Sequence, residues 1–423
     1  MFMNTGMRIS LFGGAQEVGR SAIMINDGTR VMLDYGLMLG NRIEYPVSMP
    51  NVDALVLSHA HLDHSGSVPA LFNEMGIPVF GTKPTNELSM LLLNDTLKIS
   101  RRSRGSLNFH KRQLASFNRS FIEMEYGESE SIKGIGLTIY DAAHIPGSAI
   151  TLLEREGAGA NRRVVYTGDF KLSRQELHNG AYVPESDILI MESTYASVEH
   201  PDRKALERRL IDDIKATLDN GGNALVPVFA VGRAQEVLSM LHRNGLSGMT
   251  YMDGMAREAT RIIMDNPGFI SNSDILEAAV DRVRPAGGTS GRDEALSEPS
   301  IILTTAGMLN GGPVLYYIER LNMNSHIFLT GYQVEGTNGR LLMDHKPLHI
   351  EHREVNVGVG FSYYDLSAHA GASELHEYAR RSSPSRVICV HGSRDSTLAL
   401  AESLREEGFD ASAPKVGDTI DIE

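Results

Sequence analysis

The segment Ser58-His59-Ala60-His61-Leu62-Asp63-His64 directly follows the apolar run Ala54-Leu55-Val56-Leu57. Three histidines and a carboxylate crowd into six positions at the end of a strand-like stretch, where polar groups are costly to bury without partners. Imidazole nitrogen and carboxylate oxygen together suit zinc, and no thiolate is required. In an extended or turning segment His59 and His61 fall on one side, while Asp63 and His64 lie one turn further on. Four ligands so arranged can serve two adjacent metals. The competing reading is a surface histidine-rich loop, or a helix-start cap at Asp63, and the density of the cluster argues against it.

Further ligand candidates stand where other apolar runs end. His144 follows Ile139-Tyr140-Asp141-Ala142-Ala143, Asp169 follows Val164-Val165-Tyr166-Thr167-Gly168, and His391 follows Val387-Ile388-Cys389-Val390. Each has a glycine nearby that allows the backbone to turn tightly. Singly, each reads as a satisfied strand-end residue. Together with the histidine cluster they read as ligands.

The 423 residues are 42% hydrophobic, enough for two cores. Forty basic against 53 acidic side chains leave a net charge of −13, which excludes a general basic coat for nucleic acid but not a local basic groove. Cys389 is the sole cysteine, so an internal disulfide and a multi-thiolate zinc site are excluded, and a reducing, cytoplasmic setting is expected. Met1 to Ser10 carries no signal-peptide pattern, and no run of 18 apolar residues predicts a membrane span.

Short β-rich runs at Met7 to Phe12, Ala22 to Ile25, Arg30 to Leu33 and Ala54 to Ser58 fill the first 60 residues. Helical spacing appears at Val68 to Met75 and Asn86 to Ile99, and strands return at Leu137 to Tyr140, Ala149 to Leu153, Val164 to Thr167 and Ile188 to Met191. From about Asp202, helices and strands alternate as in a parallel α/β sheet. Arg284 to Ser300, rich in Gly, Ser, Pro and charge, reads as an exposed loop. After Pro347, strand character returns at Val355 to Phe361 and Val387 to Val390, with helices at Ala372 to Arg381 and Asp395 to Glu406. The expected domains are 1–200, 201–346 and 347–423. Arg101, Arg102, Arg104, Lys111, Arg112 and Arg119 form a basic concentration that either guides RNA or is a solvated helix face.

The set His59-x-His61-x-Asp63-His64, then His144 and Asp169, resembles the metallo-β-lactamase superfamily, with Asp34 matching its structural aspartate. Glu192 in Glu192-Ser193-Thr194-Tyr195-Ala196, His369 in Ser367-Ala368-His369-Ala370-Gly371, and His391 before Gly392 match the three extra motifs of its β-CASP nuclease branch. Pro227 to Glu236, Thr305 to Pro313 and Gly331 to Thr337 are similar to the cleavage and polyadenylation nuclease subunit and its archaeal homologues. Several of those carry KH domains before the nuclease; here the nuclease begins within the first ten residues, so target selection by such domains is not expected. The segment Arg101 to Arg119 departs from the acidic helix expected there.

The resemblance implies an α/β fold, a metallo-β-lactamase αββα sandwich with an inserted β-CASP α/β domain. It also implies a cofactor of two zinc ions. His59, His61 and His144 would hold one, Asp63, His64 and His391 the other, and Asp169 would bridge them. Asp63, Asp169, Glu192 and His369 become the catalytic set. The implied reaction is hydrolysis of single-stranded RNA to 5′-phosphate and 3′-hydroxyl ends, by 5′–3′ exonuclease action, internal cutting or both. Single strands are implied to enter between the domains.

The turn at Thr305, Ala306 and Gly307 comes off a strand and could cradle phosphate; Ser367, Ala368, His369 and Arg233 are the other substrate-contact candidates. A cytoplasmic homodimer meeting other RNA-processing factors is also implied. Two alternatives are a small-molecule ester or thioester hydrolase of the superfamily and an inactive scaffold subunit. The first lacks the α/β insert and the extra motifs; the second loses metal ligands, whereas all seven candidates are present.

Overall fold

The strand Met7–Gly13 buries every second residue, the period-two pattern of a strand with one face on a core. The computed structural model describes residues 6–40, 42–72, 76–102, 106–155 and 162–422. These divide into two compact units. The first comprises residues up to Arg174, Asn179–Glu199 and Ala368–Glu423; the second comprises Gln175–His178 and His200–Ser367.

The first unit holds two sheets of seven strands each among the described residues. One runs in the order Thr419–Ile422, Met7–Gly13, Ala22–Asn26, Arg30–Leu33, Ala54–Val56, Val79–Gly81, Phe121–Glu123. The other runs Asp410–Ser412, Arg386–Val390, Ile188–Glu192, Arg162–Tyr166, Ala149–Arg155, Ile135–Asp141, Ser129–Ile132. Ile9, Leu11, Val31 and Val56 of the first sheet meet Leu137, Ile139, Ile190 and Ile388 of the second in one buried cluster.

Each outer face is covered by helices. Met32, Leu55 and Leu57 pack with Leu93 of helix Lys83–Arg102 and with Leu114 and Phe117 of helix Lys111–Arg119. On the far side, Val165, Leu189 and Cys389 pack with Leu375 and Tyr378 of helix Ala372–Ser382 and Leu400 of helix Arg394–Glu406. The result is the expected αββα sandwich. Its four layers follow from strands that are apolar on both faces, which need cover on both.

The second unit is built on a parallel sheet in the order Arg284–Pro285, Thr250–Asp253, Ile301–Thr304, Ala224–Pro227, His326–Leu329, Gly360–Tyr363. Ala224–Pro227 and Ile301–Thr304 are buried at every position, as befits parallel strands covered on both sides. The long stretch of the second unit starts at His200. It ends at Ser367, because Gly360–Tyr363 pairs with His326–Leu329. The expected strand Val355 to Phe361 is broken in two, its first part belonging to a hairpin of Leu348–Ile350 with Arg353–Val355.

Two other segments differ from expectation. Gly288–Ser297 is a helix, not a loop. Its glycines and serines are weak helix formers, so tertiary contacts hold it: Asn223 donates to the Ala295 and Glu298 carbonyls, and Arg292 pairs with Asp253 at 2.7 Å. Val68–Leu71 is a 3-10 turn, and residues 73–75 lie outside the described residues. Of the basic concentration, Arg101, Lys111, Arg112 and Arg119 are exposed while Leu114 and Phe117 are buried, the pattern of a solvated helix face; Arg104 lies outside the described residues. No helix among the described residues is long and apolar enough to cross a membrane.

Candidate metal centre

Four strands of the second sheet end at one edge of it, and each carries a polar residue at or just after its end. The turns after Ile135–Asp141, Arg162–Tyr166 and Arg386–Val390 bear His144, Asp169 and His391, while Glu192 closes Ile188–Glu192. From the first sheet, Ala54–Val56 delivers Ser58 and His59. His61 caps the short helix Leu62–Ser65, which carries Asp63 and His64. Close approach dictates the glycines here. A Cβ on Gly36 would lie 1.7 Å from the Asp63 carbonyl oxygen, and one on Gly168, at φ +53°, would lie 2.8 Å from Ser58 Cβ.

All seven ligand candidates converge. His59, His61, His144 and Asp169 bring ligand atoms within 4.8 Å of one another, and so do Asp63, His64, Asp169 and His391. His61 Nδ1 lies 3.2 Å from His59 Nε2 and 3.1 Å from His144 Nε2. Across the site, His64 Nε2 and His391 Nε2 are 3.3 Å apart, and Asp63 Oδ2 is 3.4 Å from His391 Nε2. Asp169 is shared: its Oδ2 lies 3.6 Å from His59 Nε2 and 3.4 Å from His64 Nε2, and its Oδ1 lies 3.1 Å from His391 Nδ1.

The tautomers say what these contacts are for. His144 Nδ1 faces the Ala368 carbonyl at 3.0 Å, and His64 Nδ1 faces Asp34 Oδ2 at 2.6 Å. Both partners are acceptors, so the proton sits on Nδ1 and Nε2 presents a lone pair. Lone pairs packed against one another repel unless a cation lies between them. Nitrogens bound tetrahedrally at about 2.0–2.1 Å from one zinc stand ~3.3 Å apart, close to the observed spacings. The residues fit a metal.

Electrostatics agree. Burial, reinforced by neighbouring imidazoles, holds His59 and His144 well below the ordinary histidine range, and burial lowers His61 too; neutral imidazole is the form that ligates. Burial also opposes charge on His64, yet Asp169 and Asp34 raise it well above that range, which marks a negative field. Among the described residues the buried Oδ1 of Asp169 accepts no hydrogen bond.

Asp34, fully buried with φ 56°, collects four donors: Ser58 N and Oγ at 2.7 Å each, Tyr166 OH at 2.8 Å, and His64 Nδ1. Such a carboxylate behind a ligand fixes ring orientation and basicity. Asp34→Asn should therefore weaken metal binding about 10–100-fold, read by competition with a chromophoric chelator. Unchanged affinity would contradict that role.

Beside the seven stand Glu192 and His369. Both Glu192 oxygens lie within hydrogen-bond reach of His369 Nδ1, at 3.0 and 3.1 Å, and Oε1 also accepts from Phe170 N at 2.9 Å. Burial disfavours charge on His369, but Glu192 and then Asp169 outweigh it and raise the imidazole to about 9. Ala368 contributes its carbonyl to His144. Ser367, Arg233, Thr305, Ala306 and Gly307 belong to the second unit. There Thr305 to Gly307 follow strand Ile301–Thr304, and Gln333 Nε2 donates to the Gly307 carbonyl at 3.2 Å. Arg233 opens helix Arg233–Arg243. Sequence reasoning assigned no role to Ser58, Tyr166 and Thr194: the first two bond Asp34 and the third lies 3.3 Å from His391 Nδ1, contacts that no spacing rule announces.

Three family models match the chain: a metallo-beta-lactamase superfamily domain over residues 23–195, a Beta-Casp domain over 234–342, and a Zn-dependent metallo-hydrolase RNA specificity domain over 354–414. The chain is 39% identical to the probable RNase MJ4 of Methanocaldococcus jannaschii, over 98% of this chain and 100% of that protein. It is 33% identical to the RNase aCSPSF2 of Saccharolobus solfataricus, over 98% of this chain and 85% of that one. A third relative, the transcription termination factor FttA of Methanocaldococcus jannaschii, is 34% identical over 94% of this chain and 69% of its own. A crystal structure of a protein of unknown function from Enterococcus faecalis V583 shares the fold, with a TM-score of 0.64, 14% identity and coverage of 99% and 100% of the two chains.

Fold and site together define a metallo-β-lactamase-type hydrolase. The chain belongs to the β-CASP ribonuclease family of that superfamily.

Proposed function

We propose that the protein is a two-zinc ribonuclease that hydrolyses single-stranded RNA to 5′-phosphate and 3′-hydroxyl ends. The observation that carries this reading is the shared carboxylate: Asp169 stands between a three-histidine cluster and an Asp63, His64, His391 cluster. His59, His61 and His144 would hold one ion, and Asp63, His64 and His391 the other. Two divalent ions bridged there would supply hydroxide at neutral pH and neutralise the phosphate oxygens of an in-line displacement. The oxygen that enters comes from water, so the 2′-hydroxyl is not required.

This chain's own part is proton delivery. With Nδ1 held by Glu192, His369 would hand its proton from Nε2 to the departing 3′ oxygen. Glu192 keeps the imidazole charged and oriented. Thr305 to Gly307, Arg233 and Ser367 are proposed to touch the RNA backbone or its 5′ end. The resemblance further supports a cytoplasmic homodimer that meets other RNA-processing factors.

A 5′-labelled linear RNA and a circular RNA of the same sequence, with and without chelator, test the function. Chelator-sensitive release of fragments with 5′-phosphate ends is expected. A linearised circle establishes internal cutting, and an untouched circle beside a degraded linear strand establishes 5′ exonuclease action. Products ending in 2′,3′-cyclic phosphate, or cleavage that persists in chelator, would refute the reading.

A further inference from the structure

We infer that the ion pair between Lys171 and Glu374 is a strut that sets the position of His369, which makes both of them positioning residues for the reaction. The inference rests on the nuclease reading above. Helix Ala372–Ser382 begins at Gly371, which has no side chain to cap it. Glu374 supplies the reciprocal half of a capping box, its Oε2 accepting from Gly371 N at 3.0 Å. The same carboxylate accepts from Lys171 Nζ at 2.7 Å and from Ser173 N at 2.7 Å. One side chain thus ties together two turns about 200 positions apart in the chain.

Both turns carry the chemistry. Lys171 is two residues beyond Asp169, and between them Phe170 N holds Glu192. Gly371 is two residues beyond His369 and three beyond Ala368, whose carbonyl fixes His144. The Lys171 backbone is itself pinned, its N–H donating to the Ala142 carbonyl at 3.0 Å and its carbonyl accepting from Ala181 N at 2.9 Å. The strut therefore pushes against a fixed base.

Its chemistry suits position better than stability. Side-chain exposures of 8% and 17% put Lys171 and Glu374 largely out of water, where an ion pair gains little over an apolar pair of equal volume. Directional, charge-assisted bonds from three donors, by contrast, fix a carboxylate in place. Ser373 and Ala372 anchor the same helix start independently, to Glu199 and the Val198 carbonyl. Removing one partner leaves the other buried and unpaired and lowers stability, but these separate anchors should keep the helix start formed while the His369 turn shifts.

The test uses Lys171→Met, Glu374→Gln and Lys171→Arg in the full chain. Lys171→Met and Glu374→Gln are each expected to lower kcat roughly 10–100-fold, the range seen when groups that orient a site are removed, with KM and zinc content little changed. Lys171→Arg should restore most of the rate, and the double variant should be no worse than the worse single one. Amide hydrogen exchange, measured without substrate, should rise over residues 366–374 and stay constant elsewhere. Unchanged exchange there, a kcat equal to wild type, or a rate loss that vanishes well below the unfolding temperature would overturn the strut. An inactive wild-type protein would sink the nuclease reading instead, and exchange would still decide the strut.

Discussion

Asp169→Asn is expected to cost at least about four orders of magnitude in turnover, because water off the metals, with a pKa of about 15.7 rather than ~7, supplies almost no hydroxide at neutral pH. Among the described residues Asp169 is the carboxylate common to both sets, with oxygens 3.6 Å from His59, 3.4 Å from His64 and 3.1 Å from His391. An amide has the same shape but brings no negative charge to balance two dications. Zinc content should fall below two per chain while the circular dichroism spectrum stays that of the parent. Gly168, at φ +53°, turns the chain into Asp169, so the isosteric variant is expected to keep the strand ends where they are. Retained turnover with full metal content would show that the bridge is not needed.

The second large effect is on His369. His369→Ala should lose about 10²–10⁴ in kcat, the usual worth of a general acid, while zinc content and RNA affinity persist. The reason is positional: Glu192 occupies Nδ1 from 3.0 and 3.1 Å, and His369 groups with Asp169 and Glu192 rather than with either histidine set. An RNA with sulfur in place of the bridging 3′ oxygen separates the roles. A thiolate leaves without a proton, so the variant should cleave that substrate at nearly the parental rate. An equal deficit on both substrates would exclude proton donation, and a parallel loss of zinc would make His369 a ligand.

How much of this was legible beforehand depends on where each signal lies in the chain. The His59 to His64 cluster is contiguous, so its meaning could be read locally. His144, Asp169 and His391 could be found because each follows an apolar strand, and strand ends are where buried sheets expose chemistry. Asp34 was legible by resemblance alone; its work as a four-donor acceptor depends on Ser58 and Tyr166, which no spacing rule links to it. Lys171 and Glu374 were invisible for the same reason, being joined only by the packing of helix Ala372–Ser382 beside the Asp169 turn. The helix Gly288–Ser297 escaped notice because neighbours, not propensity, hold it. Gly360–Tyr363 reads as a strand in either unit, and only its pairing with His326–Leu329 assigns it to the second, which runs on to Ser367.

On the proposed reading one carboxylate joins two metals. Anomalous diffraction from crystals of the purified protein, collected on both sides of the zinc edge, tests it most directly. Two peaks are predicted. One should lie about 2.0–2.2 Å from ligand atoms of His59, His61 and His144, the other at the same range from Asp63, His64 and His391, and both should touch Asp169. A single peak, or two peaks with Asp169 bound to only one, would rule out a bridging Asp169.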